Sequence, residues 1–290
     1  MGFIDAHCHV WTDDTAHYPL GVGWKKEDMK PPRFTPEDLF KHMKPAGVDR
    51  VNLIQMSYYY PKDLSSEKVN GFDNRYMLDM IALYPDVFAG TAVIDPHGAD
   101  PDALMTELGK KKVRAFRIHP SLSKLPPARW LEPAGYEKMF AAGARNNQAM
   151  SCLIGPDALP EVERMCRKYP ATPVIIDHLC RIGADGTIRD RDVDALCALV
   201  KYPRVMMKVG AFYALGKKQP PYTDLAPLIQ RVVQGFGVRR CMWESDCPFQ
   251  VVSHKYQDSL DLVRRRLDFL TDDDRDWLLR RTAAEFFFKR

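Results

Sequence analysis

No C-x-x-C pair occurs in this 290-residue chain, and its seven cysteines are an odd set. Cys8, Cys152, Cys166, Cys180, Cys197, Cys241 and Cys247 are scattered, several of them inside apolar, strand-like runs. That usage argues against a disulfide framework and fits reduced thiols. Runs of eighteen apolar residues are missing too, and no secretory or transit pattern stands out. No membrane partner is therefore expected, and the cytoplasm is the expected compartment. Charge of one sign is not in excess: 42 basic against 38 acidic residues leave +4. Only Arg264, Arg265 and Arg266 cluster, on a segment that reads as a solvated helix face, so no nucleic-acid partner is expected.

Apolar residues make up 46% of the chain, enough for a large core. They fall into short β-branched runs separated by helix-patterned segments. Candidate strands are Phe3–His9, Arg50–Gln55, Phe88–Asp95, Val113–His119, Met150–Ile154, Val174–Leu179, Val205–Val209 and Arg240–Asp246. Thr35-Pro36-Glu37-Asp38 and Asp100-Pro101 start helices, with an N-cap and a proline in the first turn. Asn70–Leu83, Tyr136–Asn146, Ala158–Lys168, Val193–Val200 and Leu225–Val233 space apolar residues by three and four. Thr271 with Asp274 forms a variant capping box before Trp277–Phe288. Eight strand–helix units without an internal linker predict α/β architecture, one (β/α)8 TIM-type barrel domain over residues 1–290. A doubly wound sheet is the alternative, but its glycine-rich phosphate fingerprint is missing after the first strand. Thr12–Phe34, rich in glycine and proline and without a period, is expected as a long first βα loop over the barrel mouth.

Barrel enzymes carry working residues at the carboxyl ends of their strands, and polar residues collect there. In FIDAHCHVW, residues i, i+2 and i+4 of a strand share a face, which predicts Asp5, His7 and His9 side by side. Two neutral imidazoles so spaced suit Zn²⁺ or a similar ion. Arg117 and His119 end the fourth strand, His178 the sixth, and Glu244 and Asp246 the eighth. Lys208 lies near the end of the seventh. Each has a plainer reading: His119 as a strand-end cap, His178 as a core histidine, Asp246 as a turn residue. Lys208 and Glu244 are expected to form a structural ion pair inside the barrel, and Asp177 to turn away from His178 by strand alternation.

With these residues in place the chain resembles the amidohydrolase superfamily, in its amidohydrolase-related branch of sugar and dicarboxylate lactonases. The resemblance covers nearly the whole chain. It rests on D-x-H-x-H at Asp5–His9, I-D-H-L at Ile176–Leu179, V-x-x-K at Val205–Lys208 and M-W-x-S-D-x-P at Met242–Pro248. It implies a (β/α)8 hydrolase in which Asp246 handles protons and His7 and His9 face substrate or metal. Three features depart from the pattern. Members that hold a metal firmly usually add a histidine or modified lysine on strand four or five, where MSCLIG offers only Ser151 and Cys152. Glu244 replaces the usual glycine, and KVG replaces KxSG.

The leading expectation is hydrolysis of a small, polar, anionic lactone. Asp246 and His178 are the catalytic pair, and Arg117 and His119 bind substrate. A divalent metal, Zn or Mn, is optional or weak on His7, His9 and Asp246. A metal-dependent decarboxylase or hydratase is the alternative. A TatD-like nuclease would need a strand-four glutamate and a strand-five histidine. A non-catalytic binding barrel would not need the His7, His9, His178 and Asp246 set. Homo-oligomerisation is compatible with the sequence but not specified by it.

Overall fold

The computed structural model of the chain describes residues 2–63 and 72–289. All eight expected strands form: β1 (Phe3–Cys8), β2 (Val48–Ile54), β3 (Phe88–Ala92), β4 (Val113–Ile118), β5 (Ala149–Cys152), β6 (Val174–Ile176), β7 (Val205–Gly210) and β8 (Cys241–Glu244). They pair in parallel, in sequence order. The circle closes just beyond β8, where His9 N donates to Cys247 O at 2.8 Å and Asp246 N to His7 O at 3.0 Å. This is a (β/α)8 TIM barrel.

Helices fill the crossovers: α1 (Pro36–Met43), α2 (Arg75–Leu83), α3 (Pro101–Lys110), α4 (Ala134–Asn146), α5 (Leu159–Lys168), α6 (Asp190–Cys197) and α7 (Ala226–Phe236). Their starts follow the expected chemistry. Pro36 and Pro101 stand in the first turns, and Asp38 accepts the Thr35 N–H at 3.2 Å. Thr271 accepts from Asp274 N at 3.2 Å while Asp274 accepts from Thr271 N at 2.9 Å, closing the expected box. The helix expected from Asn70 begins at Arg75; residues 70 and 71 lie outside the described residues. No helix among the described residues is long and apolar enough to cross a membrane, and all seven cysteines are free thiols.

Strand alternation sorts the side chains. Phe116, Met150, Ile176, Val209 and Trp243 pack outward in the main core beneath the helices. The inward set is stratified along the barrel axis. Its lower layer is apolar: Ile4, Ala89, Ala115, Ala149, Ile175 and Met242 pack against Phe287 from the C-terminal segment. Two residues further along each of β3 to β8 stand Thr91, Arg117, Ser151, Asp177, Lys208 and Glu244, all buried.

The segment between Trp11 and Phe34 packs on the chain after β2. Gly21 N donates to Tyr58 O at 2.8 Å and Trp24 Nε1 to Tyr60 O at 3.0 Å. A Cβ on Gly21 would lie 2.2 Å from Tyr60 O, so only glycine permits this approach. Of the aromatic residues in these two segments, Tyr60 reaches the barrel mouth, while Trp11, Tyr58 and Tyr59 lie in the main core with Trp24 packed against it.

Candidate active site

A cavity of about 610 Å³ opens at the carboxyl ends of the strands. His9, Arg117, His178 and Asp246 line it, with Tyr60 and Tyr213 among its walls. His119 does not. It is half-buried at the start of the turn Pro120–Leu122, where its carbonyl accepts from Leu122 N at 3.0 Å.

β1 delivers His7 and His9 but not Asp5. The β1–β2 register shifts between Asp5 and Cys8, so simple alternation fails there. Asp5 instead accepts from His7 N and Ser245 N, both at 3.0 Å, and from Tyr256 OH at 2.6 Å. It staples β1 to the end of β8. His9 Nδ1 lies 3.0 Å from Ile54 O. A carbonyl only accepts, so the proton sits on Nδ1 and the Nε2 lone pair faces Asp246 Oδ1 at 3.4 Å. His7 Nε2 is 3.6 Å from the same oxygen.

Asp246 follows β8 with φ of 60°. Its Oδ2 accepts from Tyr213 OH at 2.6 Å and lies 4.0 Å from His178 Nε2. Its Oδ1 is buried and has no hydrogen-bond partner among the described residues. Burial pushes this carboxyl upward, but His178, His9 and the Tyr213 hydroxyl outweigh it and hold it at about 2. Burial would lower His178, yet Glu244 and Asp246 keep it above the usual histidine value. Burial also drives His9 down, and drives His7 far down with help from Lys208 and Arg117.

Both ring nitrogens of His7 face cationic donors. Arg117 Nη2 is 2.5 Å from Nε2, and Lys208 Nζ is 3.1 Å from Nδ1. A neutral imidazole has one lone pair, so one of these contacts is a hydrogen bond at a time. Arg117 is the closer of the two donors, and Lys208 has its own anion, Asp177, at 3.0 Å. The lone pair therefore belongs to Nε2, toward Arg117 and Asp246.

Two further sequence expectations need correction. Lys208 pairs with Asp177 rather than Glu244, whose Oε1 takes His178 Nδ1 at 2.7 Å. Asp177 is not turned away. It is fully buried inside the barrel, bonded by Ser151 Oγ at 2.9 Å and 3.5 Å from Arg117 Nη2. The reason is local: β6 ends at Ile176, and His178 to Arg181 all take positive φ between 50° and 56°. That twist brings Asp177 and His178 to the same interior. Asp177 was legible, because it lies two residues beyond inward Ile175. Tyr213, on the loop after β7, left no signal in the sequence.

The residues present fit a divalent cation. His7 Nε2, His9 Nε2 and Asp246 Oδ1 converge, and a second set, His7, His178 and Glu244, adjoins it. Ligand atoms of a tetrahedral site with bonds of about 2.0–2.2 Å lie roughly 3.3–3.6 Å apart. The observed 3.4 and 3.6 Å agree with this, and the orphaned Oδ1 is the atom a cation would satisfy. Arg117 already holds the His7 lone pair, so a bound cation would have to displace it.

The chain is similar to an L-fucono-1,5-lactonase of Burkholderia ambifaria, 25% identical over 259 residues, 88% of this chain and 83% of that one. Its fold matches a probable 2-pyrone-4,6-dicarboxylic acid hydrolase of Acinetobacter baumannii, solved with citric acid bound. That match has a TM-score of 0.78 at 21% identity and covers 99% of each chain. An amidohydrolase of Burkholderia multivorans with bound zinc matches at a TM-score of 0.77 and 19% identity, again over 99% of each chain. The family model described as Amidohydrolase matches residues 4–289; with the barrel and its histidine–aspartate site in view, the chain is a hydrolase that belongs to the amidohydrolase family.

Proposed function

We propose that this hydrolase opens a small, polar, anionic lactone by Asp246-assisted attack of water. The observation that carries the reading is Asp246 itself. One of its oxygens is anchored by Tyr213, and the other is buried, unsatisfied and flanked by His7 and His9.

Asp246 takes a proton from water as the water oxygen bonds to the lactone carbonyl carbon and the carbonyl electron pair moves onto its oxygen. Arg117 and the His178 ring, which its carboxylate neighbours keep protonated more readily than an ordinary histidine, are the donors for that oxyanion, since the Nε2 atoms of His7 and His9 present lone pairs. Collapse then breaks the ring C–O bond, and the proton on Asp246 goes to the departing alkoxide, giving an open hydroxy acid. His178 Nε2 lies beside this proton path.

Magnitudes favour a lactone. A carboxyl held at about 2 is ionised at neutral pH, and protonating it there costs about 7 kcal/mol. So weak a base suits an activated ester carbonyl whose leaving alkoxide is tied to the ring, and suits an amide poorly. A divalent ion on His7, His9 and Asp246 would supply Lewis acidity toward the carbonyl oxygen. The Arg117–His7 contact gives the metal-free site a cation of its own. The anionic character of the substrate is supported by the lining. Arg117, Arg181 and Lys218 face one carboxylate, Asp246, and neither Arg181 nor Lys218 has an ion pair among the described residues. The lactonase name of the Burkholderia ambifaria relative supports a lactone ring as the substrate.

The test is hydrolysis of a panel of neutral and carboxylate-bearing lactones, before and after exhaustive chelation, with metal content measured. Ring opening of the anionic members is expected to survive chelation. Asp246→Asn should lower kcat by about 10³-fold or more. Release of CO2 that chelation abolishes would replace this reading with the metal-dependent decarboxylase.

A further inference from the structure

Glu244 is the inward carboxylate that the lactone mechanism above leaves unused. It is completely buried. Its Oε1 accepts twice from one residue, from His178 N at 3.0 Å and from His178 Nδ1 at 2.7 Å. Its Oε2 lies 2.9 Å from His7 Nδ1 but makes no aligned hydrogen bond. Space for the side chain comes from β7: a Cβ on Gly210 would fall 2.2 Å from Glu244 Cγ and 2.1 Å from its carbonyl oxygen.

The residue gripped by Glu244 is held in an unusual backbone. His178 opens four successive residues with positive φ, none of them glycine. Such conformations cost on the order of 1–3 kcal/mol each and persist where surrounding contacts over-determine them. The Glu244 carboxylate is one such contact, because it fixes the His178 amide and ring together.

We propose that Glu244 is a positioning residue: it orients His178 so that Nδ1 carries its fixed proton and Nε2 faces Asp246 and the cavity. A carboxylate oxygen accepts only, so the Nδ1 proton is mandatory. Whatever His178 exchanges with substrate or with Asp246 therefore passes through Nε2, 4.0 Å from Asp246 Oδ2. With glycine at 244, the ring would lose its acceptor and be free to flip or to change tautomer. The catalytic consequence rests on the lactone reading; the tautomer does not.

The experiment is ¹⁵N NMR of histidine-labelled protein, with the His178 imidazole assigned through His178→Gln, on the wild type and on Glu244→Gly. Spectra are taken where the ring is neutral, and kcat and KM are measured in parallel on an accepted lactone. A single Nδ1–H tautomer is expected in the wild type, giving way in Glu244→Gly to the other tautomer or a mixture. On that lactone, kcat should fall roughly 10- to 100-fold with KM nearly unchanged. An unchanged tautomer in Glu244→Gly overturns the proposal. If that variant does not fold, the wild-type spectrum still decides: an Nε2–H tautomer there overturns the proposal. Should no lactone be turned over, the lactone reading fails while the NMR result continues to judge Glu244.

Discussion

Two layers of the barrel interior lie only two residues apart along each strand, yet different forces hold them. The lower one, with Ala89, Ala115, Ala149, Ile175 and Met242 against Phe287, is shut by volume alone. The upper one, with Arg117, Asp177, Lys208 and Glu244, is equally buried but made of charges. Small side chains below let the strands close on a plug. Above, each charge is tolerable only because another stands beside it. The lesson is that a barrel can place a cation or a carboxylate anywhere on its axis if the next strand supplies the counter-charge.

Breaking the upper layer should have the largest effect on stability. Lys208→Met takes from Asp177 its closest cation, leaving Ser151, Arg117 at 3.5 Å and the His7 ring at 3.9 Å, and should cost about 3–5 kcal/mol in chemical denaturation. Adding Asp177→Leu should recover most of that, since a well-packed apolar pair can replace a buried ion pair. If the single variant alone were neutral, the charges would not be coupled as described.

The lower layer should respond to size and not to charge. Ala115→Leu overpacks a position that is fully buried, and a loss of about 1–3 kcal/mol is expected in the same assay. A neutral result would mean the plug around Phe287 has slack.

One step further up β4, past Ala115 and Arg117, stands His119. Burial and the Arg117 charge hold it at about 4. An unfolded histidine titrates near 6.5, so above that pH both states are neutral and the stability is intact. As pH falls from 6.5 toward 4 only the unfolded chain takes the proton, and stability is lost. Between pH 7 and 5.5 this amounts to about 1 kcal/mol, the smallest of the three effects. Melting of the wild type against His119→Asn over that range should show the variant losing less.

These layers also mark what was legible in the sequence. The strand count, the barrel and the positions of His7, His9, Arg117, His178 and Asp246 follow from a period of two and from polar residues closing apolar runs. That pattern held wherever strands were regular. It failed at Asp5, where the register shift turns the carboxylate to the barrel seam, and in setting His178 opposite Asp177, where β6 stops early. Both errors came from extending alternation through backbone that is no longer extended. The Lys208–Asp177 pair and the Tyr213 anchor depend on which strand ends meet in space, which no local period encodes.

The stapling carboxylate of Asp5 has a consequence in time as well as in space. Its acceptors are filled by Ser245 and Tyr256, 240 and 251 residues away along the chain. During synthesis, β1 with His7 and His9 leaves the ribosome long before β8 and the residues that close on it. Contacts of such long sequence separation form late and slow the search for the native state. The candidate site thus assembles only once β8 is in place, and a chain interrupted before β8 carries both histidines without Asp246.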